Sequence, residues 1–307
     1  MNKVTVIGAG FVGATAAQRI LEKELADVVL LDVVEGLAQG KALDMMQSTS
    51  VEGFTTNIVG TTNYADTKKS DIVVITAGLA RKPGMTRDDL QAKNAEIVGG
   101  IVSEVVRYSP ESIIIVVTNP LDVMTYMTLK KSGFPASRVI GMAGVLDSAR
   151  YAYFLSVETK VPANEIQAMV LGGHGDLMVP LPKYTLIKGK PVTEIIPAEK
   201  LNAINVRTQN GGVEIVNLLK TGSAYYAPSS SAVAMVEAIL KDSGKVLPCC
   251  AYLSGEYGFQ NVYCGVPVRL TRNGVDKVIE LQLTPEEKEA LKRSVAQVTE
   301  QVGKLKI

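Results

Sequence analysis

The chain has 307 residues, of which 47% are hydrophobic and 21% charged, so it can bury the core of one large domain or two closely packed ones and is too apolar to be disordered. Its 32 basic and 31 acidic side chains leave a net charge of +1, which supplies no field for a nucleic-acid backbone or an anionic membrane, and neither partner is expected. No apolar run approaches the roughly 18 residues of a membrane span, and the opening Met1-Asn2-Lys3-Val4 lacks the marks of a secretory leader, so a cytoplasmic protein is expected.

The first half alternates short β-branched runs with longer amphipathic stretches, the pattern of a parallel sheet built from βαβ units. Strands are expected at Val4–Gly8, Val28–Asp32, Asn57–Thr61, Asp71–Thr76, Ser112–Thr118 and Val139–Gly141, with helices at Phe11–Lys23, Leu37–Gln47, Asp88–Tyr108 and Leu121–Lys131. Several of these strands are apolar at nearly every position, as in Ile113-Ile114-Ile115-Val116-Val117, which fits a sheet covered on both faces. Six such strands predict a doubly wound α/β sheet of the Rossmann type.

Beyond Gly141 the rhythm changes, and a domain boundary is placed near residue 143, giving domains 1–143 and 144–307, the second a mixed α+β unit. Helices at about Asp147–Thr159, Ala198–Leu219 and Ser229–Leu240 precede a strand-rich tract from Val246 to Leu283, with turns expected at Gly265 and Asn273-Gly274. A last helix should start at Thr284-Pro285-Glu286-Glu287, with Thr284 as cap, Pro285 in the first turn and Glu287 closing a capping box. Cys249, Cys250 and Cys264 lack any CxxC spacing, so they are read as buried thiols, and no metal site is expected.

Gly8-Ala9-Gly10-Phe11-Val12-Gly13 follows a strand and opens a helix, the arrangement that lets backbone approach a pyrophosphate at a helix N-terminus. Asp32, 19 residues after Gly13 (32 − 13), ends the next strand, where a carboxylate can take the adenine ribose hydroxyls. A structural turn beside a solvated Asp is the plainer alternative. Val33-Val34 follow Asp32 with no adjacent Arg, so NAD is favoured over its 2′-phosphorylated relative.

His174, the only histidine, stands in Leu171-Gly172-Gly173-His174-Gly175, a loop open enough for a substrate to reach an imidazole acting as acid or base. Asp147 and Arg150 are three apart on one helical face. Either they form a solvated ion pair, or Asp147 orients His174 while Arg150 grips a carboxylate. The stretch Gly78 to Arg87 carries Arg81 and Arg87 beyond a strand end and suits a lid over an anionic substrate, with a basic surface loop as the alternative. Asn119 ends another strand, placed to donate to a carbonyl oxygen.

These separated motifs, in this order and spacing, resemble the lactate/malate dehydrogenase family over the whole chain, and within it the malate dehydrogenases of the lactate-dehydrogenase-like type. The resemblance implies NAD-dependent hydride exchange between malate and oxaloacetate in the citric acid cycle, and a homo-oligomer, tetramer or dimer. It implies His174 as acid/base, Asp147 as its partner, Arg150 on the substrate's 1-carboxylate, Arg87 on the reacting carbonyl and Asn119 on substrate. Asn94 and Val117-Thr118-Asn119 would lie along the NAD site. Arg81 occupies a position that is typically Gln in the lactate enzymes, and would pair with a second carboxylate. A lactate-type activity, a non-catalytic NAD-binding protein and a zinc alcohol dehydrogenase are the rivals.

Overall fold

The computed structural model describes residues 2–79 and 85–305. The sheet begins with β1 (Lys3–Ile7), β2 (Asp27–Leu31) and β3 (Ile58–Thr61), linked by α1 (Phe11–Glu22), α2 (Leu37–Gln47) and the short α3 (Thr49–Glu52). It continues with β4 (Ile72–Ile75), α4 (Arg87–Tyr108), β5 (Ile113–Val116), α5 (Leu121–Ser132) and β6 (Val139–Gly141). All six expected strands form, with bounds one or two residues inside or beside those expected. Their order is β3-β2-β1-β4-β5-β6, all parallel.

That order reverses between β1 and β4, and the crevice outside the strand ends at such a switch point is where α/β sheets bind ligands. Both faces of the sheet are covered, which accounts for the unbroken apolar strands. Val4, Val6, Val28 and Leu30 face a core shared with Ala16, Ala17 and Ile20 of α1, whereas Ile7, Leu31, Val73 and Ile75 face a second core with Val98 and Val102 of α4 and Met124 of α5. At the opposite end of the strands a buried hydroxyl network closes the sheet: Thr5 and Ser70 are 2.7 Å apart, and Ser109 donates to the Thr67 carbonyl.

The second half starts with α6 (Gly144–Thr159), then β7 (Ile166–Gln167), β8 (Val170–Gly172), β9 (Met178–Pro180), β10 (Leu186–Ile187) and β11 (Lys190–Pro191). Next come α7 (Ala198–Leu219), α8 (Tyr226–Leu240), β12 (Val246–Ser254), β13 (Gln260–Thr271), β14 (Gly274–Val278) and α9 (Pro285–Gly303). Thr284 caps α9 through the expected box with Glu287. The Asn273-Gly274 turn forms between β13 and β14, with Gly274 at φ 90°.

Gly265 is a correction: it is no turn but the middle of β13, paired with Gly172 of β8. A Cβ there would run into the Gly172 carbonyl, so the glycine serves close strand approach and not chain reversal. Through β6 pairing with β12 at Gly141 and Cys250, and β13 with β8, the two halves share one 11-stranded sheet.

Candidate active site

The glycine turn after β1 has the geometry its sequence promises. Gly8 holds φ 103°, and a Cβ on Gly13 would collide with the Gly8 carbonyl, so these two glycines let α1 sit directly on the strand. At Gly10 a Cβ would meet nothing within 4 Å, and α1 has no side-chain cap, so the donors of its first turn open onto free space. This is a cradle that fits a pyrophosphate.

Asp32 stands at the edge of the cradle, accepting from the Ala9 N–H at 2.7 Å and the Val34 N–H at 3.0 Å. Lys41 of α2 donates to the Ala9 carbonyl at 2.6 Å, so both polar groups of that residue are held by charged side chains. Val12 is fastened from the second half, its carbonyl accepting from Ser229 of α8 at 2.8 Å, and Phe11 stacks on Tyr225 with ring centroids 5.1 Å apart. Across the switch point Thr76 donates to the Ile7 and Gly8 carbonyls at 3.1 Å.

The ends of β4 and β5 meet at Asn94, a buried side chain of α4. Its Oδ1 accepts from the Leu79 N–H at 2.7 Å, and its Nδ2 donates to the Leu79 and Asn119 carbonyls at 3.2 and 2.7 Å. Thr118 donates to the Ala77 carbonyl at 2.6 Å, and Val117 is buried beneath. Asn119 precedes Pro120 through a cis peptide.

His174 lies beyond β8, in a loop whose Gly173 N–H is held by Ser294 of α9 at 2.8 Å. Its Nδ1 is 3.0 Å from Oδ2 of Asp147, which is buried in the first turn of α6, and Arg150 approaches Oδ1 of the same carboxylate at 3.5 Å. Side-chain exposure is 17% for His174, 2% for Asp147 and 13% for Arg150, so the solvated ion-pair alternative is ruled out. Burial disfavours the imidazolium most strongly of any single influence. The charge and hydrogen bond of Asp147 outweigh it with help from Asp122 and against Arg150, so the His174 pKa ends above its ordinary value. Burial lowers the Arg150 pKa and Asp147 opposes the shift, and its buried Nε has no hydrogen-bond partner among the described residues. The chain of Arg150 lies against Gly211 and Gly212 of α7. An underused, desolvated guanidinium beside the His174–Asp147 couple is equipped to take an anion.

Arg87 opens α4 and pairs at 3.7 Å with Asp176 of the His174 loop, both side chains largely exposed. Arg87, Asn119 and His174 line one cavity of 460 Å³, flanked on its far side by Gln297 and Gln301 of α9 and Lys304 at its C-terminal end. Asp147 and Arg150 are outside that lining, so the cavity marks the flank toward α4 and α9 and not the carboxylate end of the cluster. Arg81 lies outside the described residues. Sequence reasoning missed Lys41, Asp122 and the α9 wall, since nothing in their local spacing announces contacts made across the fold.

A dinucleotide cradle at the switch point of a doubly wound sheet, with a buried His–Asp couple and an arginine across the strand ends, defines a nicotinamide-dependent oxidoreductase. Two family models cover the chain: the lactate/malate dehydrogenase NAD binding domain matches residues 2–141 and the lactate/malate dehydrogenase alpha/beta C-terminal domain matches residues 144–306. The chain belongs to the lactate/malate dehydrogenase family, and its cofactor is NAD. A malate dehydrogenase of Pelodictyon phaeoclathratiforme is 57% identical over 299 residues, 97% of this chain and 96% of that one. The crystal structure of Cryptosporidium parvum malate dehydrogenase superposes with a TM-score of 0.97 at 45% identity, covering 99% of both chains. The lactate dehydrogenase of the same organism, complexed with lactic acid and nicotinamide adenine dinucleotide, superposes at 0.95 with 41% identity over 98% of this chain and 97% of that one. Fold alone therefore does not separate the two substrates.

Proposed function

We propose that this chain is an NAD-dependent malate dehydrogenase, interconverting malate and oxaloacetate as a step of the citric acid cycle. The observation that carries the reading is the Asp147 carboxylate with His174 on one oxygen and Arg150 on the other. With Nδ1–H donated to Asp147, His174 keeps Nε2 for substrate, giving a proton to the oxygen of oxaloacetate and taking it back from malate. Bound NAD supplies the ring that accepts or gives the hydride.

Arg150 holds the carboxylate beside the reacting carbon, and Asn119 donates to substrate. Arg87 polarises the carbonyl once it exchanges Asp176 for substrate. That exchange costs little, because an exposed pair at 3.7 Å contributes at most about 1 kcal/mol. Arg81 takes the second carboxylate and sets oxaloacetate apart from pyruvate. Gly8, Ala9, Gly10, Phe11, Val12, Gly13, Asp32, Asn94, Val117, Thr118 and Asn119 form the NAD site.

Three free, buried thiols suit the reducing cytoplasm, and no helix among the described residues is long and apolar enough to cross a membrane. Exposed Leu43 of α2, Val51 of α3, Tyr153 and Val157 of α6, and Val206, Val213 and Leu218 of α7 support a homo-oligomer, dimer or tetramer. The division at residue 143, into an NAD-binding and a substrate domain, accompanies this assignment. The test is NADH oxidation with oxaloacetate and pyruvate offered in parallel: oxaloacetate should be preferred by about 10⁴-fold in kcat/KM, and equal use of the two would overturn the assignment.

A further inference from the structure

One buried carboxyl takes no part in the proton and hydride transfer. Asp122, in the first turn of α5, is 6% exposed, and its two oxygens face the site from behind. Oδ2 accepts from the backbone N–H of His174 at 3.0 Å, and Oδ1 accepts from Sγ–H of Cys250 on β12 at 3.2 Å. We propose that Asp122 is a positioning residue for His174: an ionised carboxylate that pins the His174 backbone and, as a second anion behind Asp147, favours the charged imidazole that donates the proton.

The hydrogen bonds argue for the ionised form. Each oxygen meets a donor, whereas a protonated carboxyl would need an acceptor for its own O–H. The first turn of α5 also favours negative charge. Burial works the other way and raises the Asp122 pKa, with the His174 and Cys250 hydrogen bonds opposing it. Cys250 has a proton to donate, because burial first and Asp122 second hold its thiol protonated, well above the ordinary range.

Around His174 the charged and titratable groups are Asp147 and Arg150 from α6, Asp122 from α5, Cys250 from β12, Asp176 from its own loop and Arg87 from α4. Glu300 of α9, Lys304 just beyond that helix and Asp88 of α4 line the same cavity, with Lys304 3.5 Å from Asp88 and 3.6 Å from Glu300. On β13, Cys264 is a titratable neighbour of both Asp122 and Cys250, and Tyr263 is one of Cys250. Of these, Asp122 is the anion that holds the His174 main chain and is itself shielded from solvent. Its role is therefore to fix both the place and the charge of one side chain.

The proposal rests on His174 being the proton donor, but its test need not. The chain has one histidine, so a protein labelled with ¹³C-histidine gives the imidazole titration of His174 directly by NMR, without turnover. Asp122→Asn, which keeps an oxygen for the His174 N–H and loses the charge, should lower the His174 pKa by about one unit. The pH at which oxaloacetate reduction declines should fall with it, while the KM for NADH stays unchanged. Cys250→Ser, which keeps a donor to Oδ1, should titrate as wild type. Asp122→Ser serves as the second neutral variant if Asp122→Asn is not native by circular dichroism. A His174 titration unmoved in the neutral variant, or moved as far by Cys250→Ser, would overturn the proposal. So would failure of both neutral variants to fold, which would assign Asp122 to the core alone. If wild type turns over neither keto acid but the NMR shift appears, the malate reading has failed and the positioning role has not.

Discussion

Replacing Asp147 by Asn separates orientation from charge at the centre of the site. The amide oxygen can still accept Nδ1–H of His174, so the ring stays in place, but the negative charge 3.0 Å away is lost. At an effective dielectric of about 20, a unit pair at that distance attracts by roughly 5 kcal/mol, and desolvation and charge spreading over the imidazole reduce the net to about 2–3 kcal/mol. The loss falls on the imidazolium, the form that donates the proton. Oxaloacetate reduction should therefore lose about 10²-fold in kcat/KM at a pH where wild type is fully active. Its alkaline decline should move to lower pH by more than about one unit. The sign follows from the raised His174 pKa: reduction is supported below that pKa and lost as pH rises through it, while malate oxidation gains over the same window. The assay is NADH absorbance across a pH series, with NADH affinity measured separately by fluorescence. Affinity should be unchanged, because the cradle lies at Gly8–Gly13. A decline at the wild-type pH, with less than about tenfold loss, would refute the role given to Asp147.

Arg81→Gln should move the ratio of kcat/KM for oxaloacetate over pyruvate toward pyruvate by 3–5 kcal/mol, about 10²–10³-fold or more, while Arg150→Gln should harm both substrates. A ratio within about threefold of wild type in Arg81→Gln would remove that residue from recognition. Asp32→Asn should raise the KM for NADH and narrow its advantage over NADPH, since a 2′-phosphate is no longer repelled; an unchanged cofactor ratio would contradict the ribose assignment. Glu237 of α8 holds Lys23, at the C-terminal end of α1, and Lys241, each at 2.7 Å, and these hydrogen bonds bring its pKa down to about 2. Because the folded pKa is depressed, its stabilisation is present above about 4.5 and lost as pH falls toward about 2. With Glu237 30% exposed and both lysines more than half exposed, these pairs should contribute at most about 1 kcal/mol, so urea midpoints of Glu237→Gln and wild type should differ slightly at pH 7 and converge in acid.

Signals that reside in neighbouring residues were legible from the sequence. The βαβ strands, the bounds of α2 and α7, and the Thr284 capping box depend on spacing and side-chain chemistry within a few residues. The His174, Asp147 and Arg150 cluster was legible in part: a lone histidine between glycines stands out, but i, i+3 charge pairs recur along the chain, as at Glu104 and Arg107, so spacing left Asp147 and Arg150 open and the family resemblance gave them their roles. Gly265 misled because a glycine that permits close strand approach looks, in sequence, like one that permits a turn. β7, β10 and β11 are two residues each, too short for any periodicity. Asp122 meets partners 52 and 128 residues away, and Gln91 reaches the Gln301 carbonyl across 210, so these roles exist only after the chain has closed.

The pairing of β6 with β12 bears on how a substrate can be enclosed. A single sheet and a core running from Val4 to Val298 join the cofactor half to the proton-donor half. Opening a cleft between them like a jaw would tear strand pairing and expose that core, so shielding the reaction from water falls to an element smaller than a domain. The same continuity predicts that neither half is a spare part. Denaturation should proceed in one step, with cofactor binding and the His174 environment lost together, and catalytic variation in this architecture is confined to loops at the strand ends, where a residue can change without the sheet being rebuilt.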